Sequence, residues 1–193
     1  MSAPTRRLFF ALWPDDAQRA GLTHAAAGIV RHCGGRPVPG ENLHVTLAFL
    51  GSVPEQRLPE LAAIARRAAA TFPQDAAPIL VSLETLEHWA RPQVLTVLER
   101  REEAQAAASG APALARILST AAAAAGFSPD LKPFRLHVTL ARKVARLPRS
   151  SAMRRVEWSF EAFALIESRT LPEGPVYSVV ESYVLGGAEK VRT

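Results

Sequence analysis

The chain has a single cysteine, Cys33, so no intramolecular disulfide can staple it, and a reducing compartment such as the cytoplasm is the simple expectation. It has no apolar run of membrane-spanning length, so no membrane partner is expected. Its N-terminus lacks the charged, apolar and small-residue regions of a signal peptide in the right order; Arg6 and Arg7 precede only a short run that ends at Pro14. No stretch has the composition of a linker. Charge of one sign is in mild excess only: the formal net charge is +5, nearly all from Arg. That favours an anionic partner, phosphate or nucleic acid, without requiring one. What remains is an ordinary globular composition, 48% hydrophobic over 193 residues, which suits one domain over 1–193 with ample material for a core. A monomer is expected, because the apolar stripes leave no obvious unpaired face.

Against these absences stands a repeat. Leu43-His44-Val45-Thr46-Leu47-Ala48 recurs without change as Leu136-His137-Val138-Thr139-Leu140-Ala141, 93 positions later. In a strand, side chains two apart share a face. His44 therefore sides with Thr46, and His137 with Thr139, while Leu43, Val45, Leu47 and their counterparts face a core. Each copy offers an imidazole and a hydroxyl side by side on an apolar strand. Outside the six residues the halves show no convincing identity.

The surrounding pattern predicts an α+β fold with mostly antiparallel sheet. Strands are expected at Arg7–Trp13, 43–50, Ile79–Glu87, Gln93–Arg100 and 134–142, and within Val156–Ser168 and Val176–Leu185. Helices are expected at Asp15–Arg31, Pro54–Thr71 and Pro112–Ala125, the last within an Ala-rich stretch from Glu102. That makes seven strands and three helices. Residues 36–42 and 127–134 are proline-bearing loops delivering the two His strands, and 142–155 is a basic loop.

One histidine on an apolar strand is most simply a satisfied core residue. Two copies in matching contexts are not, since a core has no need of the same His and Thr at two distant sites. A metal site is the weaker alternative: two His fall short of the usual ligand count, and nothing in the spacing of His24, His32 with Cys33, or Asp15 and Asp16 supplies the rest. No metal and no cofactor are therefore expected. The remaining chemistry is general acid–base catalysis at phosphorus. Opening a cyclic phosphodiester needs a base for the water, an acid for the departing alkoxide, and donors for the non-bridging oxygens. One neutral and one protonated imidazole, each beside a hydroxyl, meet those needs near neutral pH.

Paired His-x-Thr segments in a chain of this length resemble the two-histidine (2H) phosphoesterase superfamily, and within it the LigT-like RNA 2',3'-cyclic phosphodiesterases, also called the 2'-5' RNA ligase family. The resemblance also takes in Arg7 to Pro14, Glu41 to Gly51, Arg91-Pro92, and Pro133 to Arg142. Leu136 departs from it, where many members have Pro. The resemblance implies two mostly antiparallel sheets around a central cleft, with outer helices. It implies His44, Thr46, His137 and Thr139 as the catalytic four, with His44 assigned as acid and His137 as base. It implies Phe49 and Arg142, each five residues past its His, as flanks of the terminal base; core packing for Phe49 and a solvated charge for Arg142 are the plain alternatives. The implied reaction is metal-independent hydrolysis of an RNA-terminal 2',3'-cyclic phosphate to a 2'-phosphate, with 2'-5' ligation as its formal reverse. The alternatives are a relative acting on a nucleotide cyclic phosphate or a 2'-5' oligonucleotide, and a non-catalytic RNA or nucleotide binder. Little weight falls on His24, His32 and His88.

Overall fold

In a computed structural model, residues 4–99, 110–130, 132–144, 152–172 and 174–186 are described. In chain order the elements are β1 (Thr5–Leu12), α1 (Asp16–His32), β2 (Arg36–Pro37), β3 (Val45–Pro54), α2 (Leu58–Thr71), β4 (Ile79–Trp89), β5 (Val94–Glu99), α3 (Gly110–Ala124), β6 (His137–Arg142), β7 (Ala152–Phe160), β8 (Ala162–Leu171) and β9 (Gly174–Val184). The strands form two antiparallel sheets. One has the order β3-β1-β8-β9; the other has the order β2-β6-β5-β4-β7. The repeat thus contributes β3 to one sheet and β6 to the other.

Each helix has a local reason to be where it is. Asp15 caps α1 through a reciprocal box: its carboxylate accepts the Gln18 N–H at 2.7 Å, and the Gln18 side-chain oxygen accepts the Asp15 N–H at 3.0 Å. Pro59 sits in the first turn of α2, where a missing N–H does no harm. Leu61, Ile64, Ala65, Ala68 and Ala69 of α2 are buried, and so are Leu114, Ala115, Leu118 and Ala122 of α3. Helices α2 and α3 pack on each other, and α1 packs against β7. There Trp158, fully enclosed, donates its indole N–H to the Gln18 carbonyl at 3.1 Å. One apolar cluster runs through both sheets, from Leu8, Phe10 and Val45 to Val81, Leu95 and Val138.

The fold class agrees with expectation, and the element count does not. There are nine strands among the described residues. One addition, β2, is a two-residue strand inside the expected 36–42 loop; it pairs with Arg142 and Ala141. Two prolines hid it, but Pro37 can sit at a sheet edge, where its missing N–H is tolerated. The other addition arises because the single strand expected within Val156–Ser168 is two, broken at Glu161, and β7 begins at Ala152 inside the supposed basic loop. The basic run of that loop masks the strand pattern: Arg154 and Arg155 are exposed positions on β7. Arg146 and Arg149 of that run, and the stretch from Glu102 to residue 109, lie outside the described residues. The helix expected from Pro54 begins at Leu58, after a 3-10 turn at Glu55–Arg57, because β3 continues past Gly51 to Pro54.

Candidate active site

Each catalytic candidate is anchored in the same way. The residue two before each histidine offers its carbonyl to the ring: His44 Nδ1 lies 2.7 Å from the Asn42 carbonyl, and His137 Nδ1 lies 2.7 Å from the Arg135 carbonyl. A carbonyl only accepts, so Nδ1 carries the proton in both rings and Nε2 is left for chemistry. Asn42 is itself buried, and its side-chain amide donates to the Pro175 carbonyl at 2.9 Å, which pins the loop before β3 to β9. At His44 the free Nε2 meets Thr46 Oγ1 at 3.1 Å, so the hydroxyl donates to the neutral ring.

The strands then make a second matched move. Ala11, Phe10, Phe9 and Leu8 of β1 stand opposite Thr46, Ala48, Phe49 and Gly51, leaving Leu47 and Leu50 without partners. Thr96, Leu95 and Val94 of β5 stand opposite Thr139, Ala141 and Arg142, leaving Leu140 without one. Leu47 and Leu140 are the same position of the repeat. An extra residue in one strand reverses the in–out parity beyond it. Phe49 is thereby turned onto the face of Thr46, and Arg142 onto the face of Thr139. Without that bulge Phe49, an odd number of residues past His44, would face away from it. At the second irregularity Gly51 adopts φ +68°, which glycine takes without strain.

These faces meet at a cavity of about 680 Å3, whose wall includes Thr46, Phe49, His137, Thr139 and Arg142. Trp89, Arg91, Lys132, Phe134 and Arg135 extend the wall. His44 is not part of that wall; its ring is flanked by Phe9 at 4.9 Å, Trp13 at 5.7 Å and Tyr177 at 5.2 Å. His137 is more open, with Trp89 at 4.5 Å. Burial is the main cause that pushes the His44 imidazole down to about 4; the Asn42 carbonyl opposes it, and the charges of His137, Arg142 and Arg19 reinforce it. Burial also lowers His137, opposed by the Arg135 carbonyl and reinforced by the Arg135 charge. In the free protein at neutral pH both rings are neutral, and an anion in the cleft would favour the charged form.

Arg142 is exposed and has no carboxylate partner among the described residues, whereas Arg135 is tied to Glu87 by a two-pronged ion pair. Phe49 is half-buried, with the Arg7 guanidinium 4.7 Å from its ring centre. The remaining histidines lie apart from the cleft chemistry. His88 Nε2 donates to the Val144 carbonyl at 2.7 Å and fastens the end of β4. His32 Nδ1 meets the Gly28 carbonyl at 2.6 Å, and His24 lines a separate hollow with Arg19 and Glu41. Among the described residues, no three His, Cys, Asp or Glu side chains converge as a metal site would need.

Sequence reasoning missed Trp13, Trp89, Asn42 and Tyr177. Asn42 carried a signal in its place two residues before His44. Tyr177 carried none, because it comes from the distant β9.

Two anchored imidazoles, each beside a hydroxyl, with a guanidinium on the cavity wall that has no carboxylate partner among the described residues, are the groups that acid–base chemistry on an anionic ester would require. Comparison with known proteins agrees in class. The family model for LigT-like phosphoesterases matches residues 12–95 and 103–177, and the chain belongs to that family. It is 35% identical over 184 residues to an RNA 2',3'-cyclic phosphodiesterase of Thermus thermophilus, covering 94% of this chain and 91% of that protein. It is 32% identical over 142 residues to a protein of that name from Escherichia coli, covering 74% of each. The fold matches a crystal structure of E. coli LigT complexed with 3'-AMP, with TM-score 0.79 and 26% identity over 94% of this chain and 99% of that one.

Proposed function

We propose that this protein hydrolyses RNA-terminal 2',3'-cyclic phosphates to 2'-phosphates with His44 and His137 as its proton-transfer pair. The observation that carries this reading is the pair of Nδ1-anchored imidazoles, each with a Thr hydroxyl on its face: Thr46, His137 and Thr139 line one cavity, and His44 feels the charges of His137 and Arg142. The similarity to proteins named RNA 2',3'-cyclic phosphodiesterase supports the substrate class.

His137, on the open wall, takes a proton from the attacking water through Nε2. The water oxygen bonds to phosphorus as the bond to O3' breaks. His44, protonated once the phosphodiester anion is in the cleft, gives its Nε2 proton to O3'. An enclosed imidazolium is a strong acid, and that suits the step in which an alkoxide leaves. Thr46 and Thr139 donate to the non-bridging oxygens as charge builds there. Phe49 and Arg142 hold the terminal base between a ring and a guanidinium plane, without sequence preference. The same pair acting in the same sense, with a 5'-hydroxyl in place of water as the nucleophile and O3' again leaving, would form a 2'-5' linkage.

A second reading keeps the chemistry and changes the substrate to a free nucleotide cyclic phosphate; the complex of E. coli LigT with 3'-AMP favours keeping it in view. The deciding assay offers an oligonucleotide and a mononucleotide 2',3'-cyclic phosphate in EDTA and identifies the products. A 2'-phosphate from the oligonucleotide is expected. Turnover of the mononucleotide alone selects the second reading. No turnover of either sinks both, and activity lost to EDTA points to a metal mechanism instead.

A further inference from the structure

Behind each proposed proton-transfer group stands a stack that the mechanism above does not use. Trp13, one residue past β1, lies 5.7 Å from His44 with ring planes tilted by 31°, and the Arg19 guanidinium of α1 lies 4.6 Å from the Trp13 ring centre. Trp89, the last residue of β4, lies 4.5 Å from His137 at 52°, and the Arg135 guanidinium lies 5.5 Å from the Trp89 ring centre. Each outer arginine has a carboxylate partner: Arg19 Nη1 is 3.3 Å from Asp16, and Arg135 is paired with Glu87. The order carboxylate, arginine, tryptophan, histidine is therefore built twice. None of the added residues lies in the six-residue repeat, and the two tryptophans come from unrelated elements. Duplication of the repeat does not account for the match.

Hydrogen bonding does not account for it either. Arg19 Nε, Arg19 Nη2 and Trp89 Nε1 are buried without a partner. A buried N–H with no acceptor is unfavourable, so ring packing holds these groups against their own hydrogen-bonding preference. We propose that Trp13 with Arg19, and Trp89 with Arg135, are positioning residues that set the tilt and charge state of His44 and His137, an inference that rests on reading those two as the proton-transfer pair. The carbonyl before each strand fixes Nδ1, and the indole limits how the ring swings about that anchor. The arginine beyond the indole places positive charge behind it, which opposes the imidazolium. Both histidines carry that push, behind the larger effect of burial. The other titratable or charged groups facing His44 among the described residues are Tyr177 from β9 and His137 and Arg142 from β6. Among the described residues His137 has Trp89 and Arg135 beside it, with Glu87 behind them, and His44 opposite.

Arg19 gives the clean test, because it lines the separate hollow and not the catalytic cavity. Arg19→Met keeps an apolar stem on Trp13 and removes the charge; Arg19→Lys restores the charge without the planar stack. In a residue-resolved NMR titration of the free protein, Arg19→Met should raise the His44 midpoint by about half a pH unit. The His137 midpoint should move less, and Arg19→Lys should return His44 towards its starting value. The matching Arg135→Met change should raise the His137 midpoint and leave His44 nearly alone. In turnover, Arg19→Met should lower kcat and move one limb of the pH profile with KM unchanged. An unmoved His44 midpoint in Arg19→Met overturns the proposal, and so does an activity loss carried wholly by KM. Should the Met variant melt early, Arg19→Gln asks the same question. The titration needs no substrate, so it stands or falls separately from the cyclic phosphodiesterase reading.

Discussion

The two half-sites are made from identical hexapeptides, yet they present their histidines differently. Both rings are held by the carbonyl two residues back, and both strands bulge at the same leucine. The difference is what closes around them. His44 sits in a box of Phe9, Trp13 and Tyr177, and its Nε2 is engaged by Thr46. His137 stands on the cavity wall with a single tryptophan beside it. Identical local sequence thus fixes the tautomer and the aim of each ring, and the neighbouring strands decide how strongly each resists a proton. That inequality is useful for acid–base chemistry, which needs one ring charged and the other neutral at the same pH.

The largest effect should come from removing either partner. His44→Ala and His137→Ala are each expected to lower kcat by roughly 10²–10⁴-fold with the melting profile intact. The double variant should be little worse than either single one, because the two act as a unit. Fully additive losses in single-turnover kinetics would break the idea of a shared site. Next in size are the unequal fifth residues. Phe49→Ala and Arg142→Ala should each weaken oligonucleotide binding, about 5–100-fold in KM, from lost base stacking. Added salt should weaken binding by the parent chain more than binding by Arg142→Ala, since only the arginine carries charge. If Phe49→Ala shows the same loss of salt sensitivity, the division of labour between the halves is wrong.

The smallest effect is on stability. The folded His44 sits at about 4, held down chiefly by burial, while an unfolded imidazole titrates near ~6.5. The unfolded chain takes up that proton first, so the contribution is complete above about pH 6.5 and is lost as pH falls towards 4. His44→Gln should flatten the fall in urea midpoint across that window, and His137→Gln should flatten it less. Equal flattening would mean that the two rings are buried alike.

Much of this site was legible before any coordinates. The exact repeat announced paired His and Thr, and period-two alternation placed them on one face, with Leu43, Val45 and Leu47 inward, as their burial bears out. The helices were legible from Asp15 near a helix start and from alanine and leucine at helical spacing, although α2 starts at Leu58 and not at the expected Pro54. What escaped were features set by pairing. The strand β2 is two residues long and exists only because β6 lies beside it. The break at Glu161 turns one apparent strand into two that serve different sheets. Trp13, Trp89 and Tyr177 looked like ordinary aromatics, since nothing in a linear pattern says which ring will rest on which imidazole.

The sequence alone determined the paired His and Thr groups and their spacing, because each pair lies within two residues along the chain. The tertiary structure decided three things. It joined the two strands at one cleft, and it enclosed His44 more tightly than His137. It also turned Phe49 onto the face of Thr46 and Arg142 onto the face of Thr139 through matched bulges at Leu47 and Leu140. A bulge is a mismatch between two strands, so a chain read by itself cannot contain one. Burial likewise belongs to whatever packs around a side chain, which is why two copies of the same six residues come to hold their protons with different strength.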